Sequence, residues 1–407
     1  MLFVLAIGAL VVLIHLYLWK RLVRDTTRPG RARRVGGFAV AGLGVLVFGT
    51  VIGSRFVGPA VARWFAWPGF IWFALMVYLF LFLVVLEVPR LALRRWARRG
   101  PLVATATSAP EANTTTPDAN TATWEANTAA GGANTRRVFL ARGLGAVAGV
   151  GAAGVVGGGM VSALGAPEVN RLTIPLRRLD PGLAGFRIAV VADLHLGPLL
   201  GRGHTERVVR MINETEPDLV ALVGDLVDGT VDELGPALAP VRDLVSRQGT
   251  FFVTGNHEYY SGYAPWITEL ERLGVHPLRN ERTTISRGGA EFELAGVNDV
   301  NGRSYEDSPD LDRALAGRDP ARPVVLLAHQ PVQVADAAAR GVDLQLSGHT
   351  HGGQFYPFHY VVRAAQPSLA GLSKVDDTWL YVTRGVGFWG PPVRIGAAPE
   401  ISVVELR

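Results

Sequence analysis

FRIAVVADLH, residues 186–195, is a hydrophobic run that breaks on an aspartate and a histidine, and LVALVGDLVD, residues 219–228, repeats the device with two aspartates. By length and β-branched content, residues 186–194 and 218–223 read as buried strands. Three more follow: 250–254 ends at Gly255-Asn256-His257-Glu258, 324–328 at Ala328-His329, and 343–346 at Gly348-His349-Thr350-His351. Stretches 204–215, 232–246, 264–273 and 331–339 between them carry helical periodicity. A β-rich tract at 282–297 and late strands at 379–383 and 401–406 interrupt the alternation. Two packed sheets with helices outside, an α/β/β/α sandwich, account for both parts.

The polar clusters take five of the nine histidines and set each beside a carboxylate, an amide or another imidazole. All sit where a predicted strand gives way to a loop, and open α/β sheets bind ligands at the carboxyl ends of their strands. Asp193 and His195 are two apart, as are His349 and His351, so each pair is expected to project from one side of an extended segment. Carboxylate, amide and imidazole without thiolate suit Mn, Fe, Zn, Co or Ni. Too many donors are present for one tetrahedral ion, and the set suits two ions about 3.5–4 Å apart with a bridging carboxylate. Singly, each cluster reads as a strand end or a capped turn; five in order do not.

The series D-x-H, G-D-x-x-D, G-N-H-E, H and G-H-x-H resembles the signature of the calcineurin-like metallophosphoesterases, over about residues 170–407. The form Gly348-His349-Thr350-His351-Gly352-Gly353-Gln354 is most similar to the bacterial membrane-associated branch. The resemblance implies that Asp193, His195 and His351 hold one metal and Asn256, His329 and His349 a second, with Asp225 between them. Two divalent or trivalent ions, Mn, Fe or Zn, would be the cofactors, activating a bridging water as hydroxide for attack at phosphorus. His257 would be the catalytic histidine, oriented by Asp228; a histidine can donate a proton at neutral pH. Gly229 stands where protein phosphatases of the family carry Arg, which disfavours that activity. Arg384 and Asp299 are the candidate substrate contacts.

Ahead of this region, residues 1–100 hold three apolar stretches, 2–19, 36–53 and 65–86, each near the ~20 residues a membrane-crossing helix needs. Residues 101–135, rich in Thr, Ala and Asn, are expected to be a disordered linker. Residues 136–166, opening on Arg136-Arg137, read as a twin-arginine export signal or a fourth crossing. The catalytic domain then occupies 167–407. Much of the formal charge of +5 lies in basic loops after the first and third stretches, from Lys20 to Arg34 and from Arg90 to Arg99. Such residues stay cytoplasmic. The charge is therefore a membrane feature rather than a nucleic-acid signal, and the catalytic domain of this multi-pass cell-membrane protein is expected on the extracytoplasmic side. The chain contains no cysteine, which excludes disulfides and thiolate chemistry.

The sequence thus reads as a binuclear metal-dependent phosphohydrolase acting on a phosphodiester or phosphomonoester. Its membrane position favours a lipid-linked or cell-envelope phosphate. A soluble or cyclic nucleotide is the enzymatic alternative, and a non-catalytic membrane receptor or scaffold on the same fold is the alternative of another class.

Overall fold

The computed structural model describes the backbone of residues 2–54, 56–93 and 119–407, with side chains placed for 5–54, 56–93 and 136–407. The chain divides into two compact units, one of residues 1–49 and 71–156, the other of 50–70 and 157–407.

Four helices are long and apolar enough to cross a bilayer, over Leu5–Arg24, Arg31–Gly53, Pro59–Ala92 and Arg136–Leu164. The first is α1 (Leu2–Leu18) with its π-helical continuation Trp19–Arg24; α2 is Arg31–Gly53, α3 Pro59–Val85, and α4 the short Glu87–Ala92 that follows. The fourth lies in α5, Ala119–Leu164. Of the expected linker, residues 101–118 lie outside the described residues, and from Ala119 onward the backbone is helical; Arg94, Arg95, Arg98 and Arg99 lie outside as well. In the first unit, Arg21 pairs with Glu87 at 2.8 Å and Arg90 with Asp25 at 2.7 Å. His15, the ionisable residue within the first crossing, accepts from Trp72 Nε1 at 3.2 Å.

The second unit contains two mixed six-stranded sheets. One has β1 (Glu168–Ile174), β12 (Glu400–Leu406), β2 (Phe186–Val191), β3 (Leu219–Val223), β4 (Thr250–Val253) and β5 (Val275–Pro277), in that spatial order. The other runs β10 (Gly371–Val375), β11 (Thr378–Val382), β9 (Leu344–Ser347), β8 (Val324–Leu327), β7 (Ala290–Gly296), β6 (Glu281–Arg287). Strands β2 to β5 are parallel, as are β7, β8, β9 and β11; β12 is antiparallel to β2, β6 to β7 and β10 to β11.

Inner-facing residues of both sheets, among them Ile188, Val190, Ala221, Val223, Phe292, Leu294, Val325 and Leu346, share one core. Beyond the first sheet, α6 (Arg202–Asn213), α7 (Val231–Leu238) and α9 (Tyr263–Arg272) bury Val208, Ile212, Leu234 and Trp266 against Val191, Val220 and Phe252. Beyond the second, α10 (Leu311–Ala314) and α11 (Val334–Ala339) cover Ala295 and Leu326. The predicted layering is therefore observed. Continuous burial of β3, β4, β8 and β9, and of β2 beyond Arg187, follows from helices closing one face and the opposing sheet the other.

Candidate metal centre

Each polar cluster hangs from the carboxyl end of a parallel strand: Asp193 and His195 after β2, Asp225 and Asp228 after β3, His329 after β8, His349 and His351 after β9. Asn256 and His257 open the short helix α8 (Asn256–Ser261) after β4. The expected extended segments do not occur. Asp193, His195, Asp225, His349 and His351 all have positive φ, between 46° and 72°. Such backbone is costly outside glycine, though Asp and His tolerate it better than most, and it persists where neighbours over-determine it. Here the ladders continue past the strands: Asp193 N–H donates to Gly224 O at 3.0 Å, His195 N–H to Asp225 O at 3.1 Å, and Gly348 N–H to His329 O at 3.0 Å. The turns bend consecutive donors inward instead of letting them alternate. Glycine is required where loops cross; a Cβ on Gly255 would stand 2.2 Å from Asp225 Oδ1 and 2.5 Å from its nitrogen.

The donors converge in three overlapping groups: Asp193, His195 and His351; His195, Asp225 and His257; and Asp225, His329 and His349, each with ligand atoms within 4.8 Å of one another. His195 Nε2 faces His351 Nε2 at 3.0 Å, with Asp193 Oδ1 3.6 Å from the latter. On the other side His329 Nε2 lies 3.1 Å from Asp225 Oδ2. His329 Nδ1 donates to Val223 O at 2.7 Å, so Nε2 is the nitrogen turned to the Asp225 carboxylate; burial favours the neutral ring, yet Asp225 and Asp193 raise it well above the usual histidine range, so that a second proton answers the carboxylates. A metal ion at Nε2 would take that proton's place. His329 Nε2 and Asn256 Oδ1 are both buried without a hydrogen-bond partner. Buried polar atoms without partners among carboxylates are what a cation-binding set presents, and the residues fit metal binding.

Electrostatics agree. Burial, then the proximity of His329, keeps His349 neutral, pulled down to about 3. Burial and Arg394 hold His351 well below the usual histidine range. Burial raises Asp193 to about 6, against His329. For Asp225 and Asp228 burial works against ionisation, yet His329 and His257 hold the first, and His195 and His257 the second, well below the ordinary range. His257 is the converse: burial favours its neutral ring, but Asp225 and Asp228 lift it to about 9. Asp228 Oδ1 accepts from both His257 Nδ1 at 2.6 Å and His195 Nδ1 at 3.0 Å, which fixes both rings.

The two candidate substrate contacts, Arg384 and Asp299, are each held by neighbouring groups. The Arg384 guanidinium pairs with the buried Glu400, Nε at 2.8 Å, and its Nη2 also meets Glu168 at 3.4 Å. Asp299 is fully buried, with Oδ1 accepting from Asn301 N at 2.8 Å and Gln330 Nε2 at 3.1 Å while Oδ2 lacks a partner.

Other residues were passed over in the sequence. Glu258 accepts from the backbone N–H of Asp225, Leu226 and Gly255 at 2.9, 2.7 and 2.6 Å, strapping the β3 loop to the β4 loop. Burial and Asp225 raise its carboxyl to about 7. Arg394, 2% exposed, donates to His351 O at 2.7 Å and His351 Nδ1 at 3.0 Å. Tyr260 and Trp389 edge onto His257 with ring centroids 5.4 and 6.5 Å away. The Glu in G-N-H-E was a visible signal for the first; Arg394 and Trp389 gave none.

A family model described as calcineurin-like phosphoesterase matches residues 186–353. A zebrafish (Danio rerio) transmembrane protein with metallophosphoesterase domain is 32% identical over 419 residues, covering 100% of this chain and 89% of that protein. Its bovine (Bos taurus) namesake is 40% identical over 262 residues, 61% of this chain and 59% of its own length. An uncharacterized metallophosphoesterase of Helicobacter pylori strain J99 is 40% identical over 251 residues, 61% of this chain and 66% of its own. The alignments to the last two thus span about three-fifths to two-thirds of each relative. Similarity extends to animals and is not confined to the expected bacterial branch.

Proposed function

The chain belongs to the calcineurin-like metallophosphoesterase family, and from that premise we propose a membrane-anchored, two-metal phosphohydrolase whose substrate is a lipid-linked or cell-envelope phosphate ester. The observation that carries this reading is the convergence of buried, partly orphaned donors from two sheets on a single point. Asp193, His195 and His351 would hold one ion, Asn256, His329 and His349 the other, with Asp225 common to both. When bound, such ions supply a water of lowered pKa and neutralise charge on the phosphoryl oxygens.

The protein supplies the rest. Asp228 fixes the His257 ring through Nδ1, leaving Nε2 to carry a proton toward the leaving oxygen. Glu258 holds the Asp225 loop, and Arg394 holds His351 in register.

Four apolar helices support a multi-pass cell-membrane location. The 50–70 hairpin belongs to the same compact unit as the metal cluster, which suits a common side for both. With the first basic loop cytoplasmic, that side is extracytoplasmic.

The full chain in detergent, stripped and then reloaded with Mn(II), should hydrolyse an aryl phosphodiester or phosphomonoester. Asp225→Asn should abolish turnover and lower bound metal in elemental analysis. Stoichiometric metal without turnover on either ester would reject the hydrolase in favour of a binding role.

A further inference from the structure

Downstream of the last histidine pair runs Phe355-Tyr356-Pro357-Phe358-His359-Tyr360-Val361, whose apolar side chains a water-exposed domain would bury. The short helix α12 (His359–Ala365) turns His359 inward, 8% exposed, and leaves Tyr360 66% and Val361 61% exposed. Phe358 is 37% exposed, and Trp389, from the loop after β11, 50%. These two segments are locked together. Gln354 Nε2 donates to Trp389 O at 2.8 Å, and Trp389 N–H donates to Gln354 Oε1 at 3.0 Å.

The 389–395 loop faces two ways. Toward the cluster it carries Trp389 beside His257 and Arg394 on His351. Away from it, a Cβ at Gly390 would meet the Phe70 ring at 3.7 Å, and Arg394 N–H donates to Gly159 O at 2.9 Å, with Ile395 packed over Gly159. Phe70 and Gly159 belong to two of the bilayer-length helices. Gly159 precedes the end of its helix at Leu164 by only about 7.5 Å at 1.5 Å per residue, the depth of the headgroup and acyl boundary. Tryptophan and tyrosine favour that layer because one end of each ring system is apolar and the other hydrogen-bonds.

We propose that the face made by Phe358, Tyr360, Val361 and Trp389 is seated in the lipid headgroup layer, so that the metal cluster draws its phosphate from an amphiphile lying in that layer. The seat is argued from the helix contacts; the choice of substrate rests on the phosphohydrolase reading above.

The absence of cysteine allows a clean test in the full chain in lipid nanodiscs. A single Val361→Cys is labelled with an environment-sensitive fluorophore and challenged with phospholipid carrying a headgroup-proximal nitroxide. Val245→Cys, exposed before the start of β4 at the opposite strand ends, is the control. The Val361 label should be quenched several-fold more than the control; equal quenching overturns the seat. In parallel, the double substitution Tyr360→Ser with Val361→Ser is assayed on an aryl phosphodiester bearing a long alkyl tail in the nanodisc and on its water-soluble methyl analogue. Turnover of the tailed ester should fall about tenfold or more, the local concentration that surface residence supplies, with the methyl ester within about twofold. Parallel losses on both esters would overturn the substrate inference. Failure to hydrolyse either one would instead reject the phosphohydrolase reading, and the quenching would still decide the seat.

Discussion

Asp228 is the hinge of the cluster's proton chemistry, since one carboxylate oxygen orients both His195 and His257. Asp225 and Asp228 together raise His257 to about 9, so replacing Asp228 by Asn removes one anion and lowers that value. The protonated form is then lost at lower pH, and the alkaline limb of the kcat profile should move toward acid in Asp228→Asn. An unchanged limb would show that His257 does not titrate in turnover. Arg394→Met should lower the stability of the catalytic unit by roughly 1–3 kcal/mol, because buried carbonyls of Gly387 and His351 lose their donor. Thermal unfolding with and without metal measures it. At this scale the sequence was informative about side-chain type and order, which chemistry constrains. It was silent on the left-handed backbone at Asp193 and His349, since φ is fixed by the crossing loops and not by the residue's own identity.

Strands that are buried on both faces announced themselves: β3, β4, β8 and β9 lie within a residue of their expected ends, and β2 stops three residues short of its expected end at Leu194. The half-exposed ones did not. In β1 the pattern is mostly exposed or intermediate, with Arg171 and Asn170 inside it, and β10 is equally open, so neither carries a hydrophobic signature. The single helix expected over 232–246 proves to be α7 followed by a 3-10 turn, with Pro236 and Pro240 removing the amide donors that would have continued it. The α8 turn offers a test of how tightly the elements are packed. Gly255 and Gly262 flank it; a Cβ on the first collides with Asp225, whereas the second, at φ +85°, has open space around it. Gly255→Ala should therefore cost about 1–3 kcal/mol and weaken metal retention, and Gly262→Ala should cost only the strain of its positive φ, about 1 kcal/mol, with metal unaffected. Elemental analysis beside a denaturant series separates the two.

Over the whole molecule, apolar stretches made the bilayer-length helices readable, and burial pattern made the two-sheet sandwich readable, but sheet order was not. Nothing local tells β12 to insert between β1 and β2. Sidedness is testable with the cysteine-free background: Ser54→Cys and Arg177→Cys, introduced separately, should react with an impermeant maleimide added to the same face of intact cells, and Thr27→Cys in the first basic loop only after permeabilisation. Reaction of Ser54→Cys and Arg177→Cys from opposite faces would contradict the proposed topology.

The place of β12 also governs how the protein is born. A nascent chain released before residue 400 has β1 and β2 as two open edges, with the loop of Asp193 at the end of one of them. Ribosomal synthesis must therefore run through the far strand before the first ligand acquires its final support, and a premature stop codon late in the message disarms residues encoded two hundred codons earlier.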